Sequence, residues 1–313
     1  MFNLKKELTR NYGLHRAGWS YAVNGMESLH SNKSPELVSF IEKKFIFGRE
    51  TGDFNNEYEQ LEKPWVGFLH IPTNVPHWFN RHYSPVELFK REDFQQALTL
   101  CKGLYTLSSP LNDWVCTQFD GPVKTVLHPT ELVDCLFDKS LLAANAPINI
   151  VQLGFWLRKL HAIHCLKLPK TGFNKYTVGI SRTHQQRFVN IEKQVFEFDE
   201  VDASVENIGF MSNDMYDNLL STSIVFVDFY DTSANNAIIE CIARATPILC
   251  PPNRAIVDYL GLEYPLFYNS YEEAQSLLMN RNILIDAHNY LLESGVREKL
   301  STASFIKSLK GSL

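Results

Sequence analysis

Nothing in this sequence marks a membrane span, a redox motif or a metal cage. No apolar run approaches the roughly 20 residues that cross a bilayer. The opening MFNLKKELTRNYGLHRAGW has two lysines but no apolar stretch behind them, so it does not read as a secretory signal. Six cysteines (Cys101, Cys116, Cys135, Cys165, Cys241 and Cys250) form no CxxC, and most sit in apolar segments. Buried free thiols in a reducing compartment are expected. GxGxxG and GxxxxGK(S/T) are absent, which counts against a dinucleotide oxidoreductase and a P-loop ATPase. GxSxG is absent as well, which disfavours an α/β hydrolase. His161 and His164 form HxxH without a third ligand at helical spacing, so no zinc site is expected. There is no excess of basic residues: the net charge is −5. That argues against a dominant polyanion-binding surface, and nucleic acid is not an expected partner. Repeats and low-complexity tracts are also missing. A cytoplasmic protein is expected, with peripheral membrane contact left open.

What is present is enough for two domains of ordinary size: 313 residues, of which 45% are hydrophobic and 21% charged. The stretch from Ile224 to Pro251, IVFVDFYDTSANNAIIECIARATPILCP, reads strand, loop, helix, strand. A helix between two buried strands implies a right-handed crossover in a parallel sheet. Ligands in such sheets sit at the carboxyl ends of the strands, facing helix N-termini. Ser233, Asn235 and Asn236 therefore lie where backbone N–H groups are free and an anion is welcome. Glu240 lies four residues after Asn236, on the same helix face one turn deeper.

The rest of the chain has a similar grammar. In the first half, PWVGFLHIP (64–72) is a buried strand followed by a long aromatic loop, TNVPHWFNRHYSP. A helix REDFQQALTLC, a strand GLYTLS, a helix SPLNDWVCTQF and a strand PVKTVLHP follow. SPELVSFIEKKFIFG is expected to be helix running into strand, and RETGDFNNEYEQLEK a loop. Residues 130–147 connect to a second α/β series opened by INIVQLG (148–154), with KYTVGIS and VENIGFMS as further strands. RTHQQRFVNIEKQVFEFDEVDAS is polar and ambiguous. The expected architecture is α/β, with two halves, 1–135 and 136–313, facing a cleft.

The order and spacing of the second half resemble the nucleotide-sugar-dependent glycosyltransferases of the two-Rossmann-domain (GT-B) fold. INIVQLG with its basic segment, IGFMSNDMYDNLLSTSIVFVDF, TSANNAIIECIARATPIL and AIVDYLG match that family's donor domain in sequence order. GLYTLSSPLNDWVCTQFDGPVKTVLHP is similar to the last βαβ unit of its acceptor domain. Many retaining members carry Glu, seven residues, then Glu, with glycines between. Here the second Glu is Glu240, the first falls on Thr232, and Ser233 and Asn235 hold glycine positions. In relatives the helices after the equivalent of Ser270 return onto the first half.

The resemblance implies transfer of a sugar from a nucleotide donor to a hydroxyl on a glycan, lipid or protein. It implies no metal and no cofactor beyond the nucleotide-sugar co-substrate. A departing nucleoside diphosphate then needs N–H groups and cations aimed at it. Ser233 to Asn236 supply the first, and Arg158 and Lys159 are the candidates for the second, with Lys167 and Lys170 behind them. Glu240 would accept from ribose hydroxyls, and the turn at Phe210 and Met211 would hold the base through backbone atoms. Asp231 is awkward beside a diphosphate. His70, at the end of its strand, is the candidate base for the acceptor hydroxyl. His77, Trp78, Phe79, His82 and Tyr83 are candidates for an acceptor pocket. Two other readings keep the fold: a nucleotide-sugar epimerase or hydrolase, and a non-catalytic module binding glycan or protein.

Overall fold

The computed structural model describes residues 1–10, 18–47, 61–144, 146–196, 198 and 201–310. Two parallel sheets organise it. The first holds β1 (Glu36–Val38), β2 (Trp65–Leu69), β3 (Cys101–Thr106) and β4 (Val123–Thr125), in the spatial order β1-β2-β3-β4. The second holds β5 (Ile148–Leu153), β6 (Phe173–Val178), β7 (Val205–Gly209), β8 (Ser223–Phe226) and β9 (Ile248–Leu249), in the order β7-β6-β5-β8-β9. The second order is doubly wound and reverses direction between β5 and β8, which opens a crevice at their carboxyl ends. The first sheet advances one way only and has no such crevice.

The inner strands β2, β5 and β8 are short and mostly apolar because both faces of a parallel sheet are covered there, whereas the edge strands β4 and β7 are half-exposed. In β2, Val66 and Phe68 face a core that includes Trp19, Met26 and Tyr105. Trp65 and Leu69 face the opposite core with Ile41, Phe94 and Leu111. That alternation is the period of two of a strand. Gly67 lets the two layers meet: a Cβ there would stand 2.8 Å from the Ile41 side chain.

The segment expected as helix then strand runs the other way. Glu36–Val38 pairs in parallel with β2, and helical turns follow through Lys43–Phe47. Leu37 and Val38 are buried in the cores on opposite sides of the sheet, and that burial outweighs local helix preference. The expected loop RETGDFNNEYEQLEK lies almost entirely outside the described residues. The ambiguous stretch after β6 is a 14-residue helix, Arg182–Val195, capped by Ser181.

The chain passes between the sheets twice. It leaves the first sheet after β4, and after the helices that flank the second it returns in the helix Thr302–Leu309. Phe305 and Leu309 of that helix are buried against the first sheet. Thr302 Oγ1 donates to the Tyr21 hydroxyl at 2.8 Å, and Lys124 Nζ donates to the Ser308 carbonyl at 2.6 Å. The expected return of the C-terminal helices is therefore present. The two passages touch, because the Thr130 N–H donates to the Leu300 carbonyl at 2.9 Å.

The carboxyl ends of the two sheets face each other and are in contact. The Ser109 N–H and hydroxyl donate to Asp258 at 2.6 and 2.9 Å, and Ser108 Oγ lies 3.2 Å from Ser233 Oγ. Arg254 pairs with Asp113 at 2.9 Å.

Candidate functional site

The helix Asn236–Arg244 starts at the switch point, just beyond β8. Asn235 caps it: its Oδ1 accepts from the Ala237 N–H at 3.0 Å. The same oxygen accepts from Arg158 Nη2 at 3.0 Å. Arg158 comes from the loop after β5, so the crevice is bridged by a cation laid on a helix N-terminus. Its Nη1 donates to the Trp156 carbonyl at 2.7 Å, and its Nε is shielded from solvent without a partner. Among the described residues no carboxylate pairs with it. Burial lowers its pKa from the ordinary arginine value to about 10. Gly154, at φ 71°, makes the turn that lets the loop reach over. Asn236 is exposed at the helix start.

Lys159, the second expected cation, is not free. Its Nζ lies 3.1 Å from Asp228 Oδ1, and Asp228 also accepts from the Tyr271 hydroxyl at 2.9 Å. The pair neutralises itself, which leaves Arg158, of these two candidates, as the cation for an anion at this helix. Glu240 is buried, not a solvated helix position, and its Oε2 accepts from the Tyr216 hydroxyl at 2.7 Å. Thr232 is buried and turned to its own loop, receiving the Asn235 amide at 3.4 Å. Ser233 is buried and faces Ser108 of the other half. Asp231 faces that half too: its Oδ2 accepts from the Asn74 N–H at 3.0 Å. This carboxylate ties the two halves together. Phe210 is 75% exposed at the end of β7, while Met211 packs partly against the second core.

His70 is a correction. Its Nε2 lies 2.8 Å from the Ser39 carbonyl, which can only accept, so that nitrogen carries the proton. The ring stacks on Phe40 at 4.0 Å and meets Trp19 edge-on at 4.6 Å. Burial is the main reason its pKa falls to about 3. A base this weak does not suit proton removal near neutral pH. It does make a stability prediction. The unfolded chain takes up a proton near pH 6.5 that the folded ring refuses down to about 3. The contribution is therefore full above pH 6.5 and is lost as pH falls toward 3, at up to about 1.4 kcal/mol per pH unit. Glu42, whose pKa burial raises to about 7, changes in the opposite sense. That group is common to wild type and variant. His70→Phe should flatten the fall in urea-unfolding free energy between pH 6.5 and 4. Equal slopes would assign the acid sensitivity elsewhere.

The aromatic loop after β2 is not an open acceptor pocket. Phe79 is 2% exposed and stacks on Phe188 of the second half, 4.7 Å away at 7°. Trp78 meets Tyr230 edge-on at 5.7 Å. His77 and His82 stay exposed. Of the HxxH pair, His161 is held through Nδ1 by Glu192 at 2.9 Å. Among the described residues no group of three or more His, Cys, Asp or Glu is placed to hold a metal ion.

Sequence reasoning missed Tyr216, Glu192 and Tyr230. Glu192 had a signal: Gln185, Val189 and Glu192, all buried, repeat at helical spacing.

The chain matches no protein-family model and no curated protein sequence. Its fold has solved counterparts. HepE of Anabaena, in complex with UDP and glucose, is similar at a TM-score of 0.58 and 11% identity, over 79% of this chain and 70% of that one. Sucrose-phosphate synthase of Thermosynechococcus elongatus is similar at a TM-score of 0.60 and 11% identity, over 93% and 74%. An α,α-trehalose-phosphate synthase (UDP-forming) of Burkholderia xenovorans is similar at 0.58 and 12%, over 93% and 76%. The protein has the GT-B fold: two Rossmann-like halves with their strand ends facing a cleft.

Proposed function

We propose that the protein is a glycosyltransferase that moves a sugar from a nucleotide donor to a hydroxyl of a glycan, lipid or protein. One observation carries the reading: Arg158, without a counter-charge among the described residues, lies on the start of the helix Asn236–Arg244 at the switch point. A half-buried cation at a helix N-terminus is a site prepared for phosphate. As the bond from sugar to phosphate breaks, charge collects on the departing diphosphate, where Arg158 and the N–H groups of Asn236 and Ile238 would meet it. This supplies the positive charge from the protein, so the proposed reaction calls on no metal. Glu240, one turn deeper and bonded to the Tyr216 hydroxyl, is the proposed acceptor for ribose hydroxyls, with the backbone of Phe210 and Met211 near the base. The solved counterparts support the donor class, since HepE is described with UDP and glucose. In this reading 1–135 is the acceptor side, 136–313 is the donor side, and the protein works in the cytoplasm.

A second reading is binding without transfer. It is favoured by Thr232 where retaining relatives carry a carboxylate, by the Lys159–Asp228 pair, and by Ser233 tied to Ser108.

Thermal melting with UDP-, GDP-, ADP- and dTDP-sugars tests both. Saturation at about 100 times Kd contributes about 2.7 kcal/mol, a readable rise in Tm. Stabilisation by one base class, with diphosphate release when acceptor is added, supports transfer. Stabilisation without release supports the second reading. No stabilisation by any donor removes the site.

A further inference from the structure

We infer that Glu192 is a positioning residue for Arg158, fixing from one buried carboxylate the two loops that form the donor crevice. The inference rests on the reading of Arg158 given above. Glu192 projects from the helix Arg182–Val195 and is fully buried. Its Oε1 accepts from the Leu160 N–H at 3.0 Å and the Tyr230 hydroxyl at 2.6 Å. Its Oε2 accepts from the His161 N–H at 2.7 Å and the His161 ring Nδ1 at 2.9 Å. Four donors fill the carboxylate's acceptor sites. These four hydrogen bonds answer the cost of burying this group.

The donors come from the places that matter. Leu160 and His161 follow Arg158 in the loop after β5. Tyr230 belongs to the loop after β8 that leads to Asn235. Leu157, just before Arg158, has φ 58°, a left-handed conformation that residues with a Cβ avoid. Such backbone persists where its surroundings over-determine it. Here the Tyr230 N–H donates to the Leu157 carbonyl at 3.0 Å, and Glu192 holds the chain three and four residues later. The His161 ring stacks on Phe196 and on Phe198, at 5.2 and 4.9 Å. Its Nε2 lies 3.4 Å from the Tyr271 hydroxyl, which donates to Asp228. The clamp therefore reaches the Lys159–Asp228 pair as well. Without it the turn at Leu157 has less to hold it, and Arg158 loses its register on Asn235.

The experiment is a double-mutant cycle on UDP binding, with whichever nucleoside diphosphate most stabilises the wild type in place of UDP if that is another. The amide nitrogen of Gln cannot accept, so Glu192→Gln deprives one pair of donors of its acceptor. Affinity should fall at least tenfold in Glu192→Gln. The double variant with Arg158→Ala should bind no more weakly than Arg158→Ala alone, because Glu192 acts through Arg158. Amide exchange at Leu160 and His161 should quicken in Glu192→Gln with no ligand present. Tyr230→Phe, which removes one donor and keeps the ring, should lose two- to threefold with the same dependence on Arg158. Additive losses, or a lower Tm with unchanged affinity, would make Glu192 only structural and overturn the inference. If Arg158→Ala itself binds as wild type, the reading of the site fails; if it binds weakly and Glu192→Gln does not, only this inference fails.

Discussion

Arg158→Ala should weaken binding of a nucleoside diphosphate by about 30-fold or more while leaving Tm within about 2 °C of wild type. The two halves of this result have one cause. Truncating one side of a desolvated, hydrogen-bonded charge pair typically costs about 2–5 kcal/mol of affinity. In the free protein the guanidinium has no carboxylate partner among the described residues, and burial already pulls its pKa down to about 10. Removing it takes away a half-desolvated charge along with two hydrogen bonds, and Asn235 keeps the Ala237 N–H. Calorimetric titration beside thermal melting separates the outcomes. Unchanged affinity would place the anion elsewhere. A large joint loss of affinity and stability would make Arg158 part of the scaffold.

The second large effect concerns the first half. Phe305→Ala should destabilise the protein by about 3–5 kcal/mol, the usual cost of hollowing a packed aromatic site. Phe305 is 2% exposed, and its ring lies 6.3 Å from Phe68 at the centre of the first sheet. The face it covers, Val66, Phe68 and Tyr105, shares its cluster with Trp19, Val23 and Met26. At roughly 2–4 °C per kcal/mol for a domain of 150–250 residues, Tm should drop on the order of 10 °C. Nucleotide binding at low temperature should survive, because the crevice belongs to the other sheet. A drop of less than about 2 °C would show that the returning helix is an ornament and not part of the core.

Much of the architecture was legible because parallel strands announce themselves. IVFVDF, INIVQLG and PWVGFLHIP are apolar on both faces and closed by small or turn residues, which few other elements imitate. The helix start at Asn235 was legible for the same local reason. What could not be read depended on partners distant in sequence. Glu36–Val38 is a strand only because β2 lies beside it. Lys159 looked like a phosphate ligand until Asp228, 69 residues on, claimed it. His70 looked like a base until Ser39, Phe40 and Trp19 enclosed it. The helix Arg182–Val195 hid its function because the only mark of its buried face is one Val at helical spacing between a Gln and a Glu, a pattern that a polar stretch drowns. Phe79 shows the same limit: an aromatic in a long loop reads as a sugar platform, and its stacking on Phe188 depends on how the halves meet.

The hydrogen bond from Thr130 to Leu300 bears on how anything enters. Two strands of chain fastened side by side work as a pair of pins in one knuckle. A swing about that line would leave the fastening intact, whereas a twist across it would stretch one strand and slacken the other. An opening that keeps this bond would be like that of a book. The Ser109–Asp258, Arg254–Asp113 and Asn74–Asp231 contacts act as the clasp, and Thr130–Leu300 as the spine that stays shut.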